Sequence, residues 1–193
     1  MSPEMRGLDT EAGEPKYART ELERRWLVDR AARPSLEGAW MTLIEDRYIV
    51  GTRMRLRRMS RPDLGETKWK LTKKYDTARP EARPIVTSYL TAAEYEVLTA
   101  LPARVLVKRR YHLPIDRRFW SLDVFEGPLT GLVLAEIEFP TEEAADRSPI
   151  PATAIVEVSH DPRFSGGRLV RTEAGELRSW LDELGVPVIV PPA

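Results

Sequence analysis

The chain has 193 residues, 42% of them hydrophobic and 31% charged, a composition that suits one globular domain with a core of its own. Thirty basic residues balance thirty acidic ones. The basic excess typical of proteins that bind nucleic-acid phosphates is therefore missing, and we expect no nucleic-acid partner. The absence of cysteine excludes disulfides and thiol chemistry, and two histidines are too few for a histidine-rich zinc centre. Without an apolar run of membrane-spanning length, we expect a cytoplasmic protein with no membrane partner.

The N-terminal half begins with a polar stretch and then alternates between apolar and polar residues. Residues 1–16 show no periodicity and are predicted to form a flexible tail before a single domain at 17–185. Strands are predicted at 21–28, 52–59, 67–75 and 85–90, with a weaker helix candidate at 37–46. Thr91 and Glu94 match a capping box, which predicts a helix over 91–101.

The C-terminal half continues the alternation. Further strands are predicted at 104–113, 119–125, 133–139 and 155–160, with a weaker helix candidate at 141–146. A helix over 172–184 begins at a threonine and ends before Gly185, and residues 186–193 are predicted to be a C-terminal tail. Eight strands with a few short helices indicate the α+β class and an antiparallel sheet.

Charge is segregated along the predicted strands, because the polar face of each strand carries mostly one sign. The like-charged sets are Glu21 and Glu23; Arg53, Arg55 and Arg57; Lys68, Lys70 and Lys74; Lys108 and Arg110; Glu136 and Glu138. Two like charges 4 Å apart repel by roughly 4 kcal/mol at an effective dielectric constant near 20, and solvated surfaces normally mix signs.

Two geometries account for this segregation. An open sheet would show its charged face to water, whereas a closed barrel would place the charges inside. Inside a barrel, a hard cation such as Mg²⁺ or Mn²⁺ would neutralise the acidic strands, and a polyanion such as a triphosphate would neutralise the basic ones. The residues alone leave both geometries open.

A series of motifs favours the closed barrel. The segment 20–28, TELERRWLV, resembles the opening E-x-E-x-K strand of the CYTH, or triphosphate tunnel metalloenzyme, superfamily. Further motifs of that superfamily follow in order: R-x-R at 53–55, L-T-x-K at 71–74, K-x-R-Y at 108–111, D-x-F at 123–125, G-L-x-x-A-E-x-E at 131–138 and E-V-T-x-D-x-R-[YF] at 157–164. Each motif is weak alone, but their order over residues 17–170 is specific. The resemblance implies an eight-stranded antiparallel β-barrel, or tunnel, with short helices packed outside.

The resemblance also implies a divalent metal, triphosphate substrates and a set of site residues. The expected ligands of one or two Mg²⁺ or Mn²⁺ ions are Glu21, Glu23, Asp123, Glu136 and Glu138. The expected triphosphate-binding residues are Arg25, Arg53, Arg55, Lys74, Lys108 and Arg110. As catalytic residues we expect Glu136 or Glu138 to activate water beside the metal, and Arg25 to stabilise charge in the transition state.

Two positions depart from the superfamily pattern. Arg25 replaces a lysine; it keeps the charge and adds a planar fork that can grip phosphate, so binding should survive while turnover can differ. Thr87 and Ser88 stand where many relatives carry acidic residues, which removes negative charge from the tunnel.

Several features also have simpler interpretations. Thr20 and Glu23 match a capping box, so 20–28 could begin a helix. The arginines of 53–58 could form a nucleic-acid patch, and Glu157 could be the structural partner of an arginine. Structural roles are the simpler assignment for His112, His160, Trp26, Trp69 and Trp120.

The predicted function is a metal-dependent triphosphatase acting on inorganic triphosphate or an organic triphosphate. Two alternatives stay open. One is a class IV type adenylyl cyclase, which converts ATP to cyclic AMP and pyrophosphate. The other is a non-catalytic module that binds nucleotides or polyphosphate. The expected partner in each case is a small triphosphate-bearing molecule, and the sequence leaves a homodimer open.

Overall fold

The computed structural model describes residues 17–28, 35–75, 82–115 and 118–186. The predicted tail at 1–16, and all but the first residue of the predicted tail at 186–193, lie outside the described residues. That first residue, Val186, is buried and packs in the core beside the last helix.

The described residues form strands connected by turns and short helices. The strands are β1 (Arg19–Val28), β2 (Trp40–Ile49), β3 (Met54–Arg61), β4 (Glu66–Lys74), β5 (Ala82–Leu90), β6 (Ala103–Ile115), β7 (Arg118–Phe125), β8 (Val133–Glu138) and β9 (Ala154–Glu157). The helices are α1 (Ala92–Thr99), α2 (Glu142–Asp146), α3 (Gly166–Leu169) and α4 (Ala174–Glu183), with 3-10 turns at Gly127–Leu129 and Pro162–Phe164. None of these helices is long and apolar enough to cross a membrane.

Strand β1 closes the sheet into a barrel. The strands follow the order β5-β4-β3-β2-β6-β7-β8-β1, and the first half of β1 pairs back onto β5, with Glu21 opposite Arg83. Every pairing is antiparallel, from β1 with β5 around to β8 with β1. The closed eight-stranded antiparallel barrel confirms the predicted α+β tunnel fold and excludes an open sheet.

One predicted element is wrong. Residues 37–46, predicted as a weak helix, instead supply most of β2. Thr42, Ile44 and Asp46 are buried in alternation, which is the period of a strand. The run Glu45-Asp46-Arg47 hid this period in the sequence, because Asp46 is a charged residue at an inward position.

The other predicted elements keep their type. The predicted helices at 91–101, 141–146 and 172–184 correspond to α1, α2 and α4, and α1 carries the expected capping box. The segment 20–28 is a strand, not a charged helix. The strand predicted at 155–160 is β9, which pairs with the second half of β1 outside the eight-stranded ring. The eighth strand of the barrel is therefore β2.

An apolar layer covers the outside of the barrel around β1, β7 and β8. Trp26 and Trp120 stack at its centre, with ring centroids 5.7 Å apart, as expected of barrel-packing residues. Beside them, Arg24 donates to the Glu157 carboxylate at 2.6 and 2.8 Å and to the carbonyl of Ala145 in α2. Glu157 is thus the structural partner of an arginine, and this pair fixes α2 and β9 to β1.

A second apolar cluster lies where the C-terminal helices meet the barrel. Leu27, Leu106, Phe125 and Leu134 of the strands pack with residues of the C-terminal segment. That segment contributes Phe164, Leu169, Leu177, Trp180 and Leu181. The barrel interior is therefore apolar beside the C-terminal helices, and its charged residues lie in the remaining space.

Truncation of Trp26 tests the outer layer. Because Trp26 has no exposed surface, we expect Trp26→Ala to lower the free energy of unfolding by about 3–5 kcal/mol. Val97 on α1 is 74% exposed, so Val97→Ala should change it by no more than about 0.5 kcal/mol. Urea unfolding measures both. Equal losses in the two variants would contradict this packing.

Candidate functional site

Alternation along β1 determines which of its side chains enter the barrel. Leu22 and Trp26 belong to the outer apolar layer. Glu21, Glu23 and Arg25 occupy the alternate positions and line the interior. The E-x-E-x-R pattern of the sequence therefore places three charged groups on one interior wall.

Strand β8 adds two carboxylates to the same wall. Glu136 lies opposite Arg25 in the β1–β8 ladder, and Glu138 lies opposite Glu23. Like charges directly opposite each other destabilise a strand pair, so the Glu23–Glu138 position favours a bound cation. Burial raises the pKa of Glu23; Arg25 opposes that effect, while Glu136 adds to it.

The interior holds a cavity of about 500 Å³ and a deeper one of about 70 Å³. The charged residues that line one or both are Glu21, Glu23, Arg25, Asp46, Arg53, Arg55, Arg57, Lys74, Arg83, Arg104, Lys108, Arg110, Glu136, Glu138, Asp161 and Arg171. Basic residues outnumber acidic ones here, although the whole chain has no net charge. The interior is thus matched to an anion larger than a single carboxylate.

Lys74 of β4 and Glu21 of β1 form an ion pair inside the barrel. The Lys74 Nζ atom donates to Glu21 Oε2 at 2.7 Å, and both side chains remain about one-fifth exposed. Burial alone would raise the pKa of Glu21, but Lys74, with Arg55 and Arg25, lowers it from 4.5 to about 2. Glu21 is consequently ionised throughout the neutral range.

Arg25 joins the carboxylates of β1 and β8. Its guanidinium donates to Glu23 and its Nε lies 3.4 Å from Glu136 Oε1. Burial opposes its charge, but Glu23 and Glu136 more than compensate and raise the pKa of Arg25. The backbone N–H of Arg25 donates to the Ser159 hydroxyl at 2.9 Å, which fixes the strand at this residue.

A more deeply buried cluster lies around Asp123, which has no exposed surface. Arg110 donates to both Asp123 oxygens at 2.7 Å and also to Glu136, and Lys108 donates to Asp123. Burial lowers the pKa of Lys108 despite the nearby Asp123 carboxylate. Burial also opposes the charge of Arg110, but Asp123 and Glu136 raise its pKa. Asp123 does not line either cavity among the described residues, so its carboxylate holds the two cations in place.

Asp46 of β2 anchors the arginines of β3. Arg57 donates to both Asp46 oxygens at 2.5 and 2.7 Å, and Arg55 Nε lies 3.5 Å from Asp46. Burial would raise the pKa of Asp46, but Arg57 and Arg55 lower it instead. Asp46 was missed in the sequence because 37–46 was predicted as a helix. Arg57 shares a face with Arg53 and Arg55, a signal that could have added it to the site.

The structure brings the predicted site residues together, apart from the enclosed Asp123. Glu21, Glu23, Glu136 and Glu138 share one wall, and the predicted triphosphate-binding residues also line the cavities. The lining residues that sequence reasoning missed include Asp46, Tyr48, Arg57, Arg83 and Arg104. At the departure noted in β5, the Thr87 hydroxyl is 3.0 Å from that of Thr72, so a neutral hydrogen bond replaces negative charge there.

The carboxylates of β1 and β8 suit a hard divalent cation, because they offer only oxygen ligands. As the side chains stand, no group of three or more acidic or histidine residues in the described part of the chain is arranged around a metal position. Lys74 and Arg25 engage Glu21 and Glu23 instead. The feature that fits a cation is the juxtaposition of Glu23 with Glu138, which has no ion pair among the described residues.

Comparison with known proteins agrees with this geometry. No family model matches the chain. An inorganic triphosphatase from Acetivibrio thermocellus is 39% identical over 67 residues, which are 35% of this chain and 42% of that protein. The match thus spans less than half of that relative's length.

Two crystal structures of the protein NE1496 share the fold. One, described as a hypothetical protein, has a TM-score of 0.55 at 26% identity and covers 80% of this chain and 99% of that one. The other, described as an inorganic triphosphatase, has a TM-score of 0.54 at 24% identity and covers 83% and 98%. With its closed antiparallel barrel, charged interior and ordered motifs, the chain resembles the CYTH, or triphosphate tunnel metalloenzyme, superfamily, and the partial sequence match and the shared fold agree with that resemblance.

A glycine pair in α3 tests how closely this helix approaches the cavity. The Tyr48 hydroxyl occupies the space that a Cβ atom on Gly166 would need, whereas Gly167 faces open space. We therefore expect Gly166→Ala to destabilise the protein by about 1–3 kcal/mol through overpacking. Gly167→Ala should stay within about 0.5 kcal/mol of wild type. Thermal unfolding compares the two, and equal melting temperatures would contradict the packing of α3 on β2.

Acid titration tests the Glu21–Lys74 pair. Because the pKa of Glu21 is lowered from 4.5 to about 2, its contribution to stability is complete above 4.5 and disappears as the pH falls through about 2. Glu21→Gln should therefore be less stable than wild type at neutral pH, and the difference should close as the solution is acidified. Urea unfolding over this pH range measures it, with the exposed Glu143→Gln as control. A difference that does not depend on pH would contradict the assignment.

Proposed function

We propose that the chain is a divalent-metal-dependent hydrolase that cleaves inorganic triphosphate or a triphosphorylated organic compound inside the barrel. The observation that carries this proposal is the excess of basic side chains around one cavity, with carboxylates from β1 and β8 on a single wall. The partial likeness to an inorganic triphosphatase supports the same chemistry.

The basic side chains of the cavity would hold the phosphate chain. An arginine guanidinium donates hydrogen bonds to two phosphate oxygens at once, whereas a lysine acts as a point charge. The proposed binding residues are Arg25, Arg53, Arg55, Lys74, Lys108 and Arg110. Lys74 and Arg25 contact the carboxylates of Glu21 and Glu23, so a phosphate would replace one anionic partner with another.

Glu21, Glu23, Glu136 and Glu138 would hold one or two Mg²⁺ or Mn²⁺ ions. A metal bound there would lower the pKa of its water and neutralise charge on phosphate oxygens. Asp123, the fifth expected ligand, has both oxygens engaged by Lys108 and Arg110, so its role in this proposal is to position those two cations.

The reaction is the transfer of a phosphoryl group to water. The water oxygen forms a bond to the terminal phosphorus, and the bridging P–O bond breaks to release orthophosphate and the shortened chain. A carboxylate must accept the proton of the attacking water. Glu138 suits this task better than Glu136, because Arg110 and Arg25 engage Glu136 whereas Glu138 is exposed at the cavity. Arg25 would stabilise negative charge as the bond breaks.

Neutral substitutions of the β8 glutamates test these roles. We expect Glu138→Gln and Glu136→Gln each to lower kcat by about 100-fold or more, since one loses the base and the other a metal ligand. Phosphate release from tripolyphosphate with Mg²⁺ or Mn²⁺ measures the effect, and circular dichroism verifies the fold. Glu143→Gln, an exposed glutamate on α2, is the control and should retain activity. Full activity in both β8 variants would remove the assigned roles.

A substrate screen separates the proposed hydrolase from the other functions. Tripolyphosphate, ATP, GTP and thiamine triphosphate are each incubated with the protein and either metal, or with a chelator. We expect orthophosphate in the metal samples and none with the chelator. Cyclic AMP with pyrophosphate from ATP would instead indicate a cyclase. Tight, salt-dependent binding without turnover would indicate a binding module.

A further inference from the structure

Arg25 stands among the carboxylates to which the proposed metal would bind. Its guanidinium donates to Glu23, and its Nε lies 3.4 Å from Glu136. The Arg25 side chain is only 15% exposed, and its Nε atom has no hydrogen-bond partner in the described part of the chain. Ion pairs therefore hold the guanidinium in place, while its Nε–H group can still donate a hydrogen bond.

A guanidinium and a divalent metal ion compete for the same oxygen atoms. Each needs carboxylate lone pairs, and two cations in one buried cluster repel each other. Glu23 engages Arg25, and Glu136 engages both Arg25 and Arg110. Of the four carboxylates proposed as ligands, Glu138 is the one without an ion pair in the described residues.

Arg25 also borders the space that a triphosphate would enter. It lines the larger cavity together with Arg53, Arg55 and Lys74. Phosphate, like a carboxylate, accepts two parallel hydrogen bonds from one arginine, and a triphosphate offers several such sites. An entering phosphate can thus draw the guanidinium away from Glu23 and Glu136, which frees those carboxylates for a metal.

We propose that Arg25 is an internal cation that blocks the metal site until a triphosphate displaces it, so that metal and triphosphate bind with positive coupling. This inference rests on the proposed function and adds the residue that sets the coupling. A lysine at this position would contact the carboxylates through one ammonium group, whereas the planar guanidinium of Arg25 contacts both Glu23 and Glu136. The coupling therefore depends on the presence of arginine at this position. By reciprocity, the metal must raise the affinity for triphosphate by the same factor.

Mn²⁺ binding without triphosphate is the direct test, with free Mn²⁺ measured by electron paramagnetic resonance. We expect Arg25→Gln to bind Mn²⁺ about tenfold more tightly than wild type, within the usual range of coupling between sites. Arg104→Gln is the matched control, because Arg104 lines the same cavity and has no carboxylate partner among the described residues. Its Mn²⁺ affinity should change by less than about threefold, since an exposed charge is well screened.

The second arm repeats the titration with imidotriphosphate, a triphosphate analogue that resists hydrolysis. The analogue should raise the Mn²⁺ affinity of wild type more than that of Arg25→Gln, because only wild type has an arginine to displace. If Arg25→Gln does not fold, Arg25→Lys replaces it and should bind Mn²⁺ more tightly than wild type.

Equal Mn²⁺ affinities in wild type and the folded Arg25 variant would overturn the inference. Phosphate release by wild type would still stand in that case, so the proposed function survives such a failure. Absence of Mn²⁺ binding in every protein, with and without the analogue, would overturn both the inference and the metal-dependent part of the proposed function.

Discussion

Closure of the sheet at β1 is the constraint from which the other features follow. Because β1 pairs with both β8 and β5, the ring has no free edge and alternate side chains of each strand must point into a narrow interior. A charged side chain there is largely withdrawn from bulk water, and an unpaired buried charge is strongly destabilising. The fold therefore requires that interior charges compensate one another, in most pairs between different strands.

The observed ion pairs meet that requirement across the strands. Glu21 of β1 binds Lys74 of β4, Asp46 of β2 binds Arg57 of β3, and Asp123 of β7 binds the cations of β6. These pairs also hold the cationic groups in fixed orientations. Under the proposed function, a phosphate chain would exchange partners with carboxylates already in place, so little reorganisation would be needed. Preorganised charge of this kind is the main resource by which proteins stabilise phosphoryl transfer.

Sequence alone predicted the parts of the structure that depend on local alternation. Strands such as β3 and β8 alternate apolar and charged residues over 54–57 and 135–138, and their order with the motifs was enough to predict the barrel. Strand β2 was missed because Asp46 faces inward only in the presence of Arg57, a partner that is not visible in a local window. The position of β9 outside the ring was also unpredictable, since it depends on β1 being shared between β5 and β9.

Only part of the candidate site could be predicted from the sequence. Glu21, Glu23 and Arg25 were grouped correctly because one strand carries all three. The enclosure of Asp123 could not be predicted from the sequence. It depends on the pairing of β6 with β7, which places Asp123 opposite Arg110, and the whole barrel fixes that register. Whether a carboxylate is available to a ligand is thus a property of cross-strand pairing, which sequence patterns do not encode.

Burial divides the interior into two parts with different physical behaviour. Around Asp123 and Lys108 the side chains are at most 7% exposed and fully paired, so exchange of partners there would leave a buried charge uncompensated. Around Glu21 and Lys74 the side chains are 20–23% exposed, and water can assist while one partner leaves and another arrives. The deep pairs therefore stabilise the barrel and orient the Lys108 and Arg110 side chains. The outer pairs, by contrast, can exchange partners. A ligand that enters the larger cavity meets the exchangeable pairs first, and the rigid pairs behind them limit how far it can penetrate.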